Sequence, residues 1–267
     1  DLVHNVVKTF SHDDRVHLIY GSAVPAVSIA LTCLIGHLMS KFMKKPEGRK
    51  GVFTVGVYSS NTIFIGLPIN IALFGEAAIP YVLLYFFANT TFFWTLGNYL
   101  ISRDGDRGQE KVFSKSTLKR IVSPPLLAFA LGVSLVMLGI RLPKFLMDTA
   151  GYIGAMTTPL AILFIGITLA GVKFRQIKID RDVLMLLFGR FVVSPATIIL
   201  ITRFVELPPL MTRVFIVQAS LPVVTSAVVL AAYYRTDSQY ASVVVSLSTL
   251  LTLIVIPLVM VLTSLLP

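Results

Sequence analysis

Eight stretches of twenty or more mostly apolar residues, parted by short polar turns, run through the whole chain. A hydrocarbon core of about 30 Å needs roughly 20 such residues per spanning helix. Lipid offers no partner to backbone N–H and C=O groups, so only helices and closed barrels cross it. The sequence therefore reads as an all-α polytopic membrane protein, with helices near 16–43, 51–75, 77–103, 120–143, 146–173, 183–206, 209–235 and 237–266. Of the 267 residues 55% are hydrophobic and 13% charged, which leaves no room for a sizeable aqueous domain.

The formal charge is +10. A nucleic-acid protein would gather its Lys and Arg on one soluble face, whereas here they punctuate the apolar runs. Fifteen of the 23 basic residues fall in the loops after the first, third and fifth helices, among them Lys41, Lys45, Arg49, Arg103, Lys115, Lys173 and Arg181. Positive residues near helix ends are retained in the cytoplasm, so these loops face inward and both ends of the chain face outward. The charge is a topology signal, and no nucleic-acid partner is expected. A single cysteine, Cys33, excludes a disulfide within the chain and leaves the redox compartment open. The sequence begins at Asp1 without a cleavable signal, and the natural N-terminus is expected upstream.

Two spans resist reading as plain helices. In 51–75, Tyr58-Ser59-Ser60-Asn61-Thr62 precedes Gly66-Leu67-Pro68-Ile69-Asn70; in 209–235, Gln218-Ala219-Ser220-Leu221-Pro222 precedes Thr225-Ser226. Proline removes a backbone donor and clashes with the preceding turn, and the carbonyls so freed must be buried in protein or line a wet cavity. The alternative is that Pro68 and Pro222 only kink their helices. The two Leu-Pro steps lie 154 residues apart, each flanked by a long helix on either side. The last five helices, from 120, form a unit whose final three match the first three of the chain. If that first triplet also ends a five-helix unit, two helices precede Asp1, and the odd number inverts one unit relative to the other. The expected division is 1–103, a linker at 104–119, and 120–267. Interrupted segments at matching positions of inverted repeats mark the substrate site of secondary transporters.

With those residues stated, the chain resembles the auxin efflux carrier family, which includes plant PIN-type carriers and bacterial malate and malonate permeases and is similar in plan to the bile-acid/sodium symporters. The matching stretches are Asn61-Thr62 through Gly66-Leu67-Pro68, Asn89 through Trp94-Thr95-Leu96-Gly97, Pro124-Pro125-Leu126-Leu127 leading to Gly139-Ile140 and Leu142-Pro143, Pro159-Leu160-Ala161 through Gly166 to Leu169-Ala170-Gly171, and Ser248-Thr249-Leu250 leading to Pro257-Leu258. The resemblance implies ten helices in two inverted five-helix units, two broken helices that cross, and a carrier of mono- or dicarboxylates working by alternating access. It also implies a multi-pass protein of a bacterial inner membrane, capable of forming a homodimer. Many bacterial members carry Asn where this chain has Ser226, beside Thr225.

An anion entering a low-dielectric interior must exchange its hydration for fixed donors. Half-helix N-termini at Pro68 and Pro222 would offer N–H groups and a positive dipole end. Asn61, Thr62, Gln218, Thr225 and Ser226 would add hydrogen bonds, although hydroxyls in membrane helices also satisfy carbonyls one turn earlier. Gly66 would permit close backbone approach, and Asn89 joins the set through the resemblance. Arg190 is the only charged residue well inside a span, and three roles stay open: attracting the anion, tying down freed carbonyls, or snorkelling to the inner surface. His37, near the inner loop, reads as an interfacial histidine, with pH sensing as the alternative. All 13 Asp and Glu lie in loops or at helix ends, so no buried carboxylate relay is expected. No cofactor is expected, while coupling to a proton or sodium stays open. A solute sensor on a carrier scaffold is the rival reading. An intramembrane enzyme is disfavoured, because no paired acids, H-E-x-x-H or deep Ser/His pair is visible.

Overall fold

The computed structural model describes residues 14–42, 48–106, 143–156 and 179–264, with isolated positions at 127, 131, 134–135, 159–160, 163 and 166–167. Most of the expected helices 120–143 and 146–173 lies outside the described residues. Four long helical spans stand among them: α1 (Asp14–Phe42); α4 (Ile79–Phe92), preceded by a 3-10 turn and continued through a π turn at Phe93–Gly97 into α5 (Asn98–Arg103); α7 (Arg181–Phe188), continued through a π turn at Gly189–Val193 into α8 (Ser194–Thr202); and α11 (Ser238–Ser264). Two further spans are interrupted, α2 (Lys50–Tyr58) with α3 (Gly66–Phe74), and α9 (Pro209–Ala219) with α10 (Ser226–Tyr234). A short helix, α6 (Lys144–Ala155), completes the described elements and buries none of its residues. No strand forms among the described residues.

The uninterrupted spans show why the chain needs a lipid environment. On α1, Val27, Leu31, Leu34 and Leu38 recur every three or four positions and are exposed, while Ser28 and Thr32 are buried. That is the reverse of a soluble helix, whose apolar stripe faces the core. Ser28 reaches Thr197 of α8 hydroxyl to hydroxyl at 2.6 Å, and Thr32 donates to the Ser28 carbonyl at 2.8 Å. Polar contact and small residues, more than an apolar driving force, join membrane helices. The interrupted spans occupy the centre: every residue of Gly51–Tyr58 is buried, as are Val214–Ala219 of α9. Glycines let the neighbours close on α2. A methyl added at Gly189 would stand 2.8 Å from Val57, and one at Gly56 would stand 2.7 Å from Leu186.

The turns at one end of the bundle converge. Arg49 pairs with Asp237 at 2.6 Å and Asp180 at 3.1 Å, and its guanidinium lies 4.8 Å from the centre of the Tyr240 ring. Burial works against the Arg49 charge, but the hydrogen bond and charge of Asp237, joined by Asp180, raise its pKa above the usual value. Asp104, at the end of α5, accepts from the Gly51 N–H at 2.6 Å at the start of α2. Partial burial raises the Asp104 carboxyl above its usual range despite that bond and the nearby Lys50 and Arg103. A cavity of about 780 Å³ at this end is lined by His37, Lys41, Lys50, Arg103, Asp104 and Asp106 among others. The basic turns that the charge pattern assigns to the inner side thus share one face. His37 is exposed there, as an interfacial histidine would be.

Candidate functional site

The first span unwinds at the polar run. α2 ends at Tyr58, Ser59 turns to extended backbone (φ −97°, ψ 122°), and α3 starts at Gly66. The second unwinds between Ala219 and Ser226. The two unwound segments cross and pair as a single antiparallel bridge, Ser60 opposite Val223: the Asn61 N–H donates to the Pro222 carbonyl at 2.9 Å, and the Val224 N–H to the Ser59 carbonyl at 3.2 Å. Backbone groups released by one break are satisfied by the other, which answers the demand that lipid makes of an interrupted helix.

Each break is also capped from the long helix that follows its span. Asn89 of α4 accepts from the Ser60 N–H at 2.9 Å and donates to the Ser60 carbonyl at 3.0 Å, so a side-chain amide imitates a neighbouring strand. The Ser59 hydroxyl adds a contact to the same Asn89 oxygen at 3.3 Å. On the other side, Ser248 of α11 accepts from the Val223 N–H at 3.1 Å. Gln218, the penultimate residue of α9, donates to the Thr62 carbonyl at 3.3 Å and ties the end of one half-helix to the opposite break.

The prolines differ in place. Pro222 lies inside its break, as the sequence implied, but Pro68 is the third residue of α3 and interrupts nothing. A proline in the first turn of a helix removes an N–H that the helix would leave unpaired anyway. The equivalence drawn from the two Leu-Pro steps is therefore corrected: α2 and α9 end 161 residues apart and α3 and α10 start 160 apart, and on that offset Pro222 corresponds to Asn61. The α3 N-terminus is also less open than expected. Gly66 N–H donates to the Asn61 carbonyl at 3.0 Å, Leu67 N–H to the Ile63 carbonyl at 3.3 Å, and Pro68 has none to give.

Beside the crossing lies a cavity of about 230 Å³. Ser60, Asn61, Thr62, Asn89, Thr90 and Ser226 form its polar wall, and Ile63, Phe64, Phe86, Phe93, Trp94 and Val224 its apolar one. None of the described residues that line it is charged. On the polar wall the buried Asn61 Nδ2 has no hydrogen-bond partner among the described residues, whereas the Ser60 hydroxyl meets the Tyr85 hydroxyl. Both π turns border the region, one through Phe93 and Trp94 and the other through Arg190; such bulges recur at functional sites.

Of the residues singled out from the sequence, Asn61, Thr62, Asn89 and Ser226 line the cavity. Gly66 and Gln218 stand behind it against each other, since a methyl at Gly66 would lie 2.6 Å from Gln218 Oε1. Pro222 contributes only its carbonyl, and Thr225, the residue before α10, is not in the lining. Arg190 is fully buried and donates to the Ala219 carbonyl and, at 2.9 Å, to Ser194 Oγ. Among its three sequence readings the carbonyl-tying one matches this geometry, and snorkelling is excluded by its burial. Sequence reasoning missed Ser60, Thr90, Ser248 and the aromatic wall. Ser59-Ser60 beside Asn61 was a usable signal for the first of these, and Thr90, Phe93, Trp94 and Ser248 lay within stretches that carried the family resemblance without being singled out as site residues.

A family profile described as a membrane transport protein matches residues 2–260. An uncharacterized transporter of Methanocaldococcus jannaschii is 28% identical over 241 residues, covering 87% of this chain and 76% of its own. A second uncharacterized transporter, from Methanothermobacter thermautotrophicus, is 28% identical over 85% of this chain and 73% of its own. A Rhizobium meliloti protein provisionally named a malonate transporter is 25% identical over 73% of this chain and 61% of its own. Two of these three relatives are archaeal, so they do not single out the expected bacterial inner membrane.

Proposed function

The chain belongs to the membrane transport protein family, and from that premise we propose that it is a secondary carrier of small organic anions bearing a carboxylate, which bind in the cavity at the crossing of the two broken spans. The family and the named relatives are transporters rather than enzymes, and the chain is an integral multi-pass membrane protein. Substrate class and mechanism are the proposal.

The observation that carries it is a buried donor, Asn61 Nδ2, that finds no hydrogen-bond partner among the described residues and belongs to the wall of a cavity large enough for a small organic acid. A carboxylate accepts hydrogen bonds and donates none, and it would complete this one. The Thr62, Thr90 and Ser226 hydroxyls provide further donors. No acid among the described lining residues would repel it. Phe64, Phe86, Phe93 and Trp94 face the remainder of the ligand, which favours one carboxylate on a compact apolar body or a short diacid over a long, fully hydrated one. Alternating access would carry this crossing between the two sides as one group of helices moves against another. An inside-negative potential favours export of each anionic charge by about 2.3 kcal/mol per 100 mV, so net movement needs no carboxylate relay.

Trp94 is the only tryptophan in the chain and lines the cavity, so its fluorescence reports occupancy. The test is a proteoliposome counterflow assay with malonate, malate and an aromatic monocarboxylate, paired with Trp94 quenching and repeated with and without pH and sodium gradients. The expected result is saturable quenching and flux for at least one acid, both reduced by Asn61→Ala in a folded protein. Quenching without flux would mark a sensor, and neither signal for any acid would refute the assignment.

A further inference from the structure

The two breaks are alike in backbone and unlike in charge. At the first, the unwound Ser60 peptide is held by the neutral amide of Asn89. At the second, the last carbonyl of α9, that of Ala219, is held by a guanidinium. Arg190 is fully buried, its hydrogen bonds go to the Ala219 carbonyl and the Ser194 hydroxyl, the Tyr85 hydroxyl also meets it, and among the described residues no carboxylate pairs with it. Buried arginines are ordinarily paired with an acid, because an isolated charge in low dielectric is costly.

What offsets that cost is the place it occupies. The C-terminal end of a helix carries the negative end of its macrodipole and unpaired carbonyls. In carriers with interrupted helices, such half-helix ends and the unwound carbonyls after them are where sodium or a proton is held. α9 ends in the middle of the bundle, and Arg190 reaches it from the π turn at Gly189–Val193, which interrupts the α7–α8 span at that residue. The Tyr85 hydroxyl is a further, neutral polar partner of the guanidinium. Arg190 does not line the cavity, so it is a positioning residue and a fixed charge, not a ligand for the cargo.

We propose that Arg190 is a tethered cation: it permanently holds the position that a bound monovalent cation would take at the second break, so that the crossing keeps its shape without an ion. This rests on the carrier reading for its bearing on transport, but the ion-replacement claim can be read without flux. Removing the guanidinium leaves a carbonyl end that a small cation can re-enter, and the variant acquires a cation dependence that the native chain lacks.

The experiment uses the full chain purified in detergent, followed by thermal unfolding in choline, sodium or guanidinium chloride at equal, low millimolar ionic strength. The native protein is expected to melt at one temperature in all three. Arg190→Ala should melt lower in choline and recover with guanidinium, and in part with sodium; Arg190→Lys should be intermediate and indifferent to the salt. In malonate-loaded proteoliposomes, Arg190→Ala in choline should lose about ten- to a hundredfold of flux, the factor expected for one charge-assisted hydrogen bond, and regain it with guanidinium. A native protein stabilised by sodium, or an Arg190→Ala protein no more responsive to either cation than the native one, would overturn the proposal. Should Arg190→Ala fail to fold, the native salt comparison together with Arg190→Lys decides it, a salt response in either counting against. Absence of native malonate flux bears on the substrate proposed above and leaves the melting result standing.

Discussion

Replacing Asn89 with leucine keeps the branched heavy-atom shape of the side chain and removes the amide that caps Ser60 at the first break. Two scales compete for the size of the effect. An interhelical side-chain hydrogen bond in a membrane protein averages about 0.6 kcal/mol, because the unfolded chain in the bilayer finds other partners. An orphaned buried backbone N–H costs about 1–3 kcal/mol. Asn89 engages Ser60 N–H, Ser60 C=O and the Ser59 hydroxyl. The carbonyl keeps a second donor, Thr62 N–H at 3.0 Å, whereas the buried Ser60 N–H is left with none. The expected loss is therefore about 2–4 kcal/mol, one orphaned N–H plus two ordinary bonds.

The fitting control is Ser28→Ala. It deletes another buried interhelical bond, but its partner Thr197 still donates to the Ser194 carbonyl at 2.7 Å, so nothing is orphaned and about 0.6 kcal/mol should be lost. Both variants can be unfolded in mixed micelles of mild detergent and dodecyl sulfate, followed through Trp94 near the break. An Asn89→Leu protein no less stable than Ser28→Ala would refute the idea that the amide stands in for a missing strand. It would place the stability of the crossing in the bridge between Ser60 and Val223 alone.

Ser248→Ala deprives the Val223 N–H of its acceptor and should cost about 1–2 kcal/mol by the same unfolding assay. Gly51→Ala places a methyl 2.3 Å from the Leu100 carbonyl oxygen, a backbone atom that cannot rotate away, and should cost about 1–3 kcal/mol or block assembly, seen as lost monodispersity in detergent. Arg49→Gln removes ion pairs whose side chains are a quarter to a half exposed; it should cost under about 1 kcal/mol per pair, with the difference from native shrinking in high salt. For Asp104 the folded carboxyl titrates above its unfolded value, so its contribution favours the fold at low pH and is lost as pH rises through the raised pKa. Asp104→Asn, whose amide oxygen can still accept from Gly51, should therefore match the native protein below about pH 4 and equal or exceed it at neutral pH; a variant less stable only at neutral pH contradicts this.

Much of the architecture was legible because the bilayer imposes it. Apolar length alone marked the four uninterrupted spans, and the polar run from Tyr58 to Thr62 marked the first interrupted span, although the break itself was expected at Pro68 and lies between Tyr58 and Gly66. The basic turns indicated which ends would gather, and the structure brings Arg49, Asp180 and Asp237 together there. Pro68 misled for a definable reason: proline breaks a helix it sits within, but it also begins one, and the sequence around Gly66 could not separate the two cases. The cap on Ser60 was illegible in another way. Asn89 lies 29 residues away, and whether it or Thr90 faces the break depends on the rotation of α4 about its axis, which tertiary packing sets. Arg190 was visible as an oddity, but its partner, a carbonyl on α9, carries no side-chain signature at all.

The unpartnered donor at the break also bounds how tightly any cargo can bind. Asn61 Nδ2 is buried without a hydrogen-bond partner among the described residues, at a cost of about 1–3 kcal/mol. A carboxylate that takes it recovers about 1–3 kcal/mol. Against this it surrenders its own hydration, itself several kcal/mol, and is repaid in part by the remaining hydroxyls and by the Arg190 charge behind the crossing. The two contributions nearly cancel, which leaves affinity to the fit of the organic body against Phe64, Phe86, Phe93 and Trp94. Dissociation constants in the micromolar to millimolar range, about 4–8 kcal/mol of binding, follow from that balance. A much tighter ligand would have to be held by more than this wall provides, and would leave too slowly for a carrier. Trp94 quenching titrations that returned nanomolar affinity for any small carboxylate would therefore show that the open donor at the break is not what holds it.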